Sequence, residues 1–183
     1  MDITTAAQLR AHYDAPSQRA VDKVLTRLTA DHRRFLARSP FFVLGTVGSG
    51  GLDVSPRGDP PGSVLVLDEA HIAIGDRPGN RRIDGMLNLL DDPRVGLLFF
   101  IPGLNETLRL NGTARITADP ALLARLSVSG KAPLTALVVT IDEVFHHCAK
   151  ALMRSKLWRP EAQNPAHDKI STTPDAAYAD VLY

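Results

Sequence analysis

"FFVLGTVGSGGLDVSPRGDPPG", residues 41 to 62, decides how the chain folds. Its first seven residues are aromatic, aliphatic, β-branched or small, "GSGG" at 48 to 51 supplies a tight turn, and "LDVSP" at 52 to 56 runs on as a second strand. This predicts a β-hairpin with strands over 41 to 47 and 52 to 56. Pro56, Pro60 and Pro61 each fix φ and withhold a ladder donor, so the second strand belongs at an edge, a bulge or the mouth of a site.

Upstream the texture is helical. "TTAAQLRAHYD" is closed by Pro16, and "SQRAVDKVLTRLTADHRRFLAR", residues 17 to 38, sets Val21, Val24, Leu25, Leu28 and Phe35 at helical spacing. These residues are expected to pack as helices on the outside of the fold, ending at Ser39-Pro40. Downstream, further strands are predicted over 63 to 68, 71 to 75, 94 to 101, 106 to 117 and 135 to 146. Their close spacing favours hairpins over βαβ units. Helices are predicted over 80 to 92 and over 119 to 127, the latter capped by Asp119 with Pro120 in its first turn, and another near Ala149. The sum is a mainly β chain, an antiparallel β-barrel with peripheral helices, closed because closure removes sticky edges.

With 183 residues the chain is one domain of ordinary size. Its 21 basic and 20 acidic residues leave a formal charge of +1, which argues against coating nucleic acid or an anionic membrane through bulk charge. Any phosphate must be met locally. The lone Cys148 forms no internal disulfide and the N-terminus lacks a basic start followed by an apolar run, so the expected location is cytoplasmic. The apolar run "VGLLFFI" at 95 to 101 falls well short of the roughly 20 residues that span a bilayer.

Three stretches carry candidate chemistry. In "GDRPGNRRIDGMLNLL", residues 75 to 90, Asn80 reads as the N-cap of a helix whose unpaired amides would stand beside Arg81 and Arg82. Such an end attracts anions, and two guanidinium groups there can bind a phosphate through charge-assisted bonds. The alternative is that both arginines are merely solvated. In "SPRGDPPG", Arg57 stands between Pro56 and Gly58 on a stiff segment, aimed either at an anion or carbonyl, or at Asp59 to close a turn. In "FHHCAKALMRSKLW", residues 145 to 158, His146 and His147 point to opposite faces of a strand and Cys148 has no second cysteine, which argues against zinc. Beyond them Lys150 and Arg154 share a helical face, with Trp158 one turn further: either a solvated surface stripe or one whose tryptophan is a wall for a planar ligand. The chain has no G-x-S-x-G, P-loop or G-x-G-x-x-G motif, and a phosphate-bearing cofactor fits best.

The order "FFVLGTV", "LDVSPRGD", "IAIGDRPGNRRIDGMLNLLDDPRVGLLFFIPG", "ETLRLNGTARI" resembles the pyridoxamine 5'-phosphate oxidase-like FMN-binding split-barrel family, over about residues 40 to 158. "RPGNRR" and "HCAKALMRSKLW" are similar to one branch of probable FMN-dependent enzymes. The resemblance implies a six-stranded antiparallel split barrel, homodimeric, with FMN in clefts between subunits. On that likeness residues 1 to 38 are N-terminal helices, 40 to 158 the barrel core and cofactor site, and 159 to 183 a C-terminal tail. It further implies that Ser55 and Arg57 contact flavin or phosphate, and that Asn80, Arg81 and Arg82 receive the phosphate, with Arg77 of the same loop also on the cofactor. Lys150, Arg154 and Trp158 would come from the partner subunit. The implied activity is an FMN-dependent oxidoreductase acting on a small organic molecule or on oxygen. A non-catalytic flavin- or haem-binding protein on the same fold is the alternative. The chain departs from the pyridoxamine phosphate oxidases themselves: it has "ETLRLNG" where they favour an arginine-glutamine pair, and it lacks their arginine-x-histidine motif near the end. Both departures argue against pyridoxal phosphate synthesis.

Overall fold

In a computed structural model, which describes residues 2 to 162, the predicted hairpin is present. β1 (Phe41–Gly48) and β2 (Gly51–Gly58) pair antiparallel, with Gly48 opposite Gly51 and Phe41 opposite Gly58. Gly51 at the turn has φ +102°, a conformation glycine reaches without a Cβ penalty. The remaining strands are β3 (Leu65–Val66), β4 (His71–Gly75), β5 (Arg94–Phe100), β6 (Thr107–Thr117) and β7 (Ala136–His147). All neighbours are antiparallel, in the order β2-β1-β5-β6-β7-β4-β3.

Among the described residues there are seven strands, as many as the sequence pattern predicts and one more than the six that the resemblance implies, because the two-residue β3 adds a rung beyond β4. The hydrogen-bonded ladder stays open, with β2 and β3 at its two ends, so the barrel is split, as the resemblance implies, and not closed as the avoidance of edges alone suggests. Pro56 sits on the edge strand β2, where a missing donor is tolerated.

One face of the sheet makes the core. In β5 the alternation puts Val95, Leu97 and Phe99 inside, where they meet Leu44, Leu108, Leu110, Ile72 and Val139, all nearly inaccessible. Burying each such side chain contributes about 1.5–3 kcal/mol, which is what holds so many short strands together. A smaller cluster, Ala73, Leu126, Ala136 and Val138, lies under α5 (Pro120–Arg125). That helix begins as predicted: the Asp119 carboxylate accepts from Leu122 N–H, with Pro120 in its first turn.

The N-terminal segment is where the helical prediction fails. The expected helix over 17 to 38 is divided into α2 (Gln18–Asp22) and α3 (Ala30–Arg38), after a short α1 (Ala6–Arg10). Between them Leu25 exchanges both backbone hydrogen bonds with Val144 of β7, at 3.1 and 2.7 Å. β4 covers β7 only from Ala136 to Thr140, which leaves the edge near Val144 unpaired, and its ladder groups capture the chain that periodicity assigns to a helix. α3 restarts at a capping box in which Thr29 Oγ1 accepts from His32 N–H and His32 Nδ1 accepts from Thr29 N–H. α1 and α2 bury no residue, so the packing expected for these helices begins only with α3.

Two more helices complete the description. α4 (Asp84–Asp91) lies over β1 and β2, tied there by buried Asn88, whose Nδ2 donates to Thr46 Oγ1 and to the Gly51 carbonyl. α6 (Lys150–Ser155) follows β7 as predicted. A single 3₁₀ turn, Pro160–Ala162, ends the described chain, and the predicted tail from residue 163 onward lies outside the described residues.

Candidate functional site at the split

The unpaired side of β2 faces the chain leaving β4, and side chains bridge the gap that backbone hydrogen bonds do not close. β2 alternates: Leu52, Val54 and Pro56 point outward, while Asp53, Ser55, Arg57 and Asp59 point to the α4 side. Arg57 Nη1 donates to Asp76 Oδ1 at 2.8 Å, and its Nε lies 3.4 Å from Ser55 Oγ. Arg77 Nε donates to Asp59 Oδ2 at 2.6 Å. The Arg57–Asp59 pair that the sequence offers as a turn closure is therefore absent. Strand alternation puts Arg57 and Asp59 side by side on one face, and each finds a partner across the split.

These crossed pairs lie along a groove of about 830 Å³, with Phe42, Val64, Met86 and Pro133 among its apolar lining. A smaller recess of about 370 Å³ continues it toward α4 and shares Ser55, Arg57, Asn80 and Ile83 with it. The loop between the two spaces is strained. Arg81 has φ 61° and Ile83 φ 52°, a left-handed conformation that is unusual for any non-glycine residue and an outlier for a β-branched one. Backbone strain of this kind clusters at ligand sites.

That loop also corrects the position of the helix start. α4 begins at Asp84 behind Ile83, which has no side chain to cap it, and Asn80 lies outside the helix. Asn80 Oδ1 instead accepts from Arg82 N–H at 3.0 Å within the loop. Arg82 pairs with Asp84 at 2.8 Å, and both are exposed. Arg81 has no ion-pair partner among the described residues. The recess therefore sits beside an uncapped helix N-terminus, and Arg81, without an ion-pair partner among the described residues, lines the adjoining groove.

Ser55, Arg57, Arg77, Asn80, Arg81 and Arg82 thus all gather along the groove and its recess. Lys150, Arg154 and Trp158 do not line either space. Trp158 also leaves the predicted helical stripe: α6 stops at Ser155, Lys156 turns left-handed at φ 53°, and Trp158 Nε1 donates to the Leu104 carbonyl at 2.8 Å. His146 rests on His32 and Phe35, and His147 on Phe145, and neither histidine is in the groove lining. Burial, with the neighbouring His146, holds the His32 pKa below its ordinary value. Burial and the cations Lys23 and Arg109 do the same for His147.

Asp76, and the wall formed by residues 128 to 134, were not singled out from the sequence. Asp76 follows a strand in "IAIGDRPG", and an acid next to an arginine reads as local pairing unless the opposite edge is known.

An antiparallel sheet left open along one seam, here with a groove beside it, is a split barrel. The chain belongs to the pyridoxamine 5'-phosphate oxidase family, whose model matches residues 28 to 148. Among solved structures it is similar to HupZ of Group A Streptococcus, with 17% identity, a TM-score of 0.52, and coverage of 65% of this chain and 93% of that one. It is equally similar in fold to a putative pyridoxamine 5'-phosphate oxidase of Lactobacillus delbrueckii, with 19% identity, a TM-score of 0.52, and coverage of 66% and 95%. At those identities the likeness is one of fold. No curated protein matches the sequence. Among the described residues no helix is long and apolar enough to cross a membrane.

Proposed function

We propose that the chain is an FMN-dependent oxidoreductase of the cytoplasm, binding FMN in the groove at the split and acting on a small organic molecule or on oxygen. The observation that carries this reading is the loop 80 to 83. Of the arginines along the groove and its recess, Arg57, Arg77 and Arg82 are each paired with an aspartate, whereas Arg81, in this loop, has no ion-pair partner among the described residues and precedes an uncapped helix start. A dianionic phosphate supplies the missing charge, and helix N-terminal amides supply donors for its oxygens. In this reading Arg81 and Arg82 hold the phosphate with the loop backbone at Asn80. Ser55 and Arg57 fix the flavin part way along, and the apolar groove beyond excludes water from the ring. When bound, the flavin supplies the hydride or electron chemistry; the chain's own part is placement and a cation near the cofactor.

The same reading includes a homodimer, the arrangement typical of the family. One face of β1, β2 and β5 supports it. Leu52 and Val54 are 83% and 69% exposed, beside Val43 and Leu98, and the Phe41 and Phe100 rings lie 6.0 Å apart on the same face. A contiguous apolar face of this kind marks an interaction surface. A partner seated there is the source from which Lys150, Arg154 and Trp158 would reach the cofactor.

The absorbance spectrum of the purified protein after incubation with FMN, and separately with haem, tests the reading. Oxidised flavin bands retained through desalting support it. A Soret band with no flavin uptake would replace it with the haem-binding alternative.

A further inference from the structure

The two residues that leave β4, Asp76 and Arg77, hold a segment the cofactor reading does not use. Residues 127 to 134 form one wall of the groove, with Val128, Pro133 and Leu134 in its lining. The segment is tied at both ends to the same dipeptide. Asp76 N–H donates to the Thr135 carbonyl at 2.9 Å, and Arg77 Nη2 donates to the Leu126 carbonyl at 2.9 Å. Val128 and Lys131 exchange backbone hydrogen bonds at 3.1 and 2.9 Å, across a turn with Ser129 and Gly130 at positive φ.

Arg77 thus bridges two sides of the groove. Its Nε reaches Asp59 beyond the end of β2, its Nη2 reaches the wall, and the side chain is only 15% exposed. Both bonds come from a planar fork whose nitrogens are fixed relative to one another, so the separation of Asp59 and Leu126 is fixed with them. Donors committed in this way are poorly placed to turn toward a phosphate. We infer that Arg77 is a positioning residue rather than a cofactor ligand: it clamps the wall 127 to 134 against β2 and so sets the width of the groove. The part of this inference that concerns flavin rests on the proposed function; the clamp itself does not.

Two measurements test it. The first is hydrogen exchange of the ligand-free protein. Arg77→Ala should speed exchange of the Val128 and Lys131 amides at least about tenfold while the amides of β6 keep their protection. Arg77→Lys should behave similarly, because an ammonium lacks the fixed fork. Asp59→Asn, which preserves shape and removes the charge, gives a smaller increase and serves if the arginine variants fold poorly. Unchanged exchange at residues 127 to 134 in the folded variants overturns the clamp. The second is titration with FMN and with riboflavin. Loss of affinity for both by the same factor is the result expected of a residue that shapes the groove. Loss confined to FMN would make Arg77 a phosphate ligand and overturn the inference. A wild-type protein that binds neither flavin would remove the flavin reading, and the exchange result alone would then decide the clamp.

Discussion

Replacing Arg57 and Asp76 singly and together, and Arg57 and Asp59 likewise, tests whether the split is bridged as described. The Arg57–Asp76 bond is 2.8 Å long, with the two side chains 27% and 21% exposed. A fully exposed pair contributes roughly 0–1 kcal/mol, whereas a hydrogen bond to a charged group contributes about 1.5–3 kcal/mol. Partial burial places this pair between those limits, so a double-mutant cycle with alanine should return a coupling of about 1–2 kcal/mol. In a domain of this size 1 kcal/mol moves Tm by about 2–4 °C, which makes the coupling visible in thermal as well as urea unfolding. Asp59 gives its carboxylate to Arg77, so the Arg57 and Asp59 cycle should be additive to within about 0.5 kcal/mol. Coupling to Asp59, with none to Asp76, would mean that the arginine closes its own turn and that the split is not bridged by crossed pairs.

Gly112→Ala should cost at least about 1–3 kcal/mol, read from the urea midpoint. A Cβ there would stand 2.0 Å from the Thr140 carbonyl oxygen beside the register shift in β6, and backbone cannot move aside as a side chain can. A Gly112→Ala protein as stable as wild type would refute that packing. Acid should weaken the docking of α3: the His32 pKa is lowered from 6.5, so the unfolded chain binds its proton more readily. Its contribution is present above pH 6.5 and is lost as pH falls from there through the depressed folded value. His32→Gln keeps the capping-box geometry without the titration, and should flatten the stability difference between pH 7.5 and 5.5; equal slopes in both proteins would exclude His32 as the sensor. Leu52→Asp with Val54→Asp should shift the protein to monomer in light scattering, and an unchanged dimer would move the interface elsewhere.

What the sequence discloses here is mostly local chemistry. The hairpin at 41 to 58 and the start of α5 are legible because each depends on residues a few positions apart, "GSGG" in one case and Asp119-Pro120 in the other. The break in the N-terminal helix is not legible, since Leu25 leaves the helix for an open edge of β7 more than a hundred residues away. The site divides the same way. Its members along the groove are readable as residue types, but Asn80 has the composition of an N-cap while the chain takes two left-handed residues before the helix begins at Asp84. Arg57 has an acid two positions away in sequence and a better one across the split. Pairing across a seam needs the sheet order, which the local pattern does not contain.

A phosphate site at the loop 80 to 83 would distinguish FMN from riboflavin, and comparative calorimetric titration with the two flavins measures that most directly. Wild type should bind FMN far more tightly than riboflavin. Two charge-assisted contacts of about 1.5–3 kcal/mol each mean that Arg81→Ala combined with Arg82→Ala should weaken FMN at least about a hundredfold, and riboflavin little. Equal affinity of wild type for the two flavins, or equal losses in the double variant, would contradict a phosphate site at this loop.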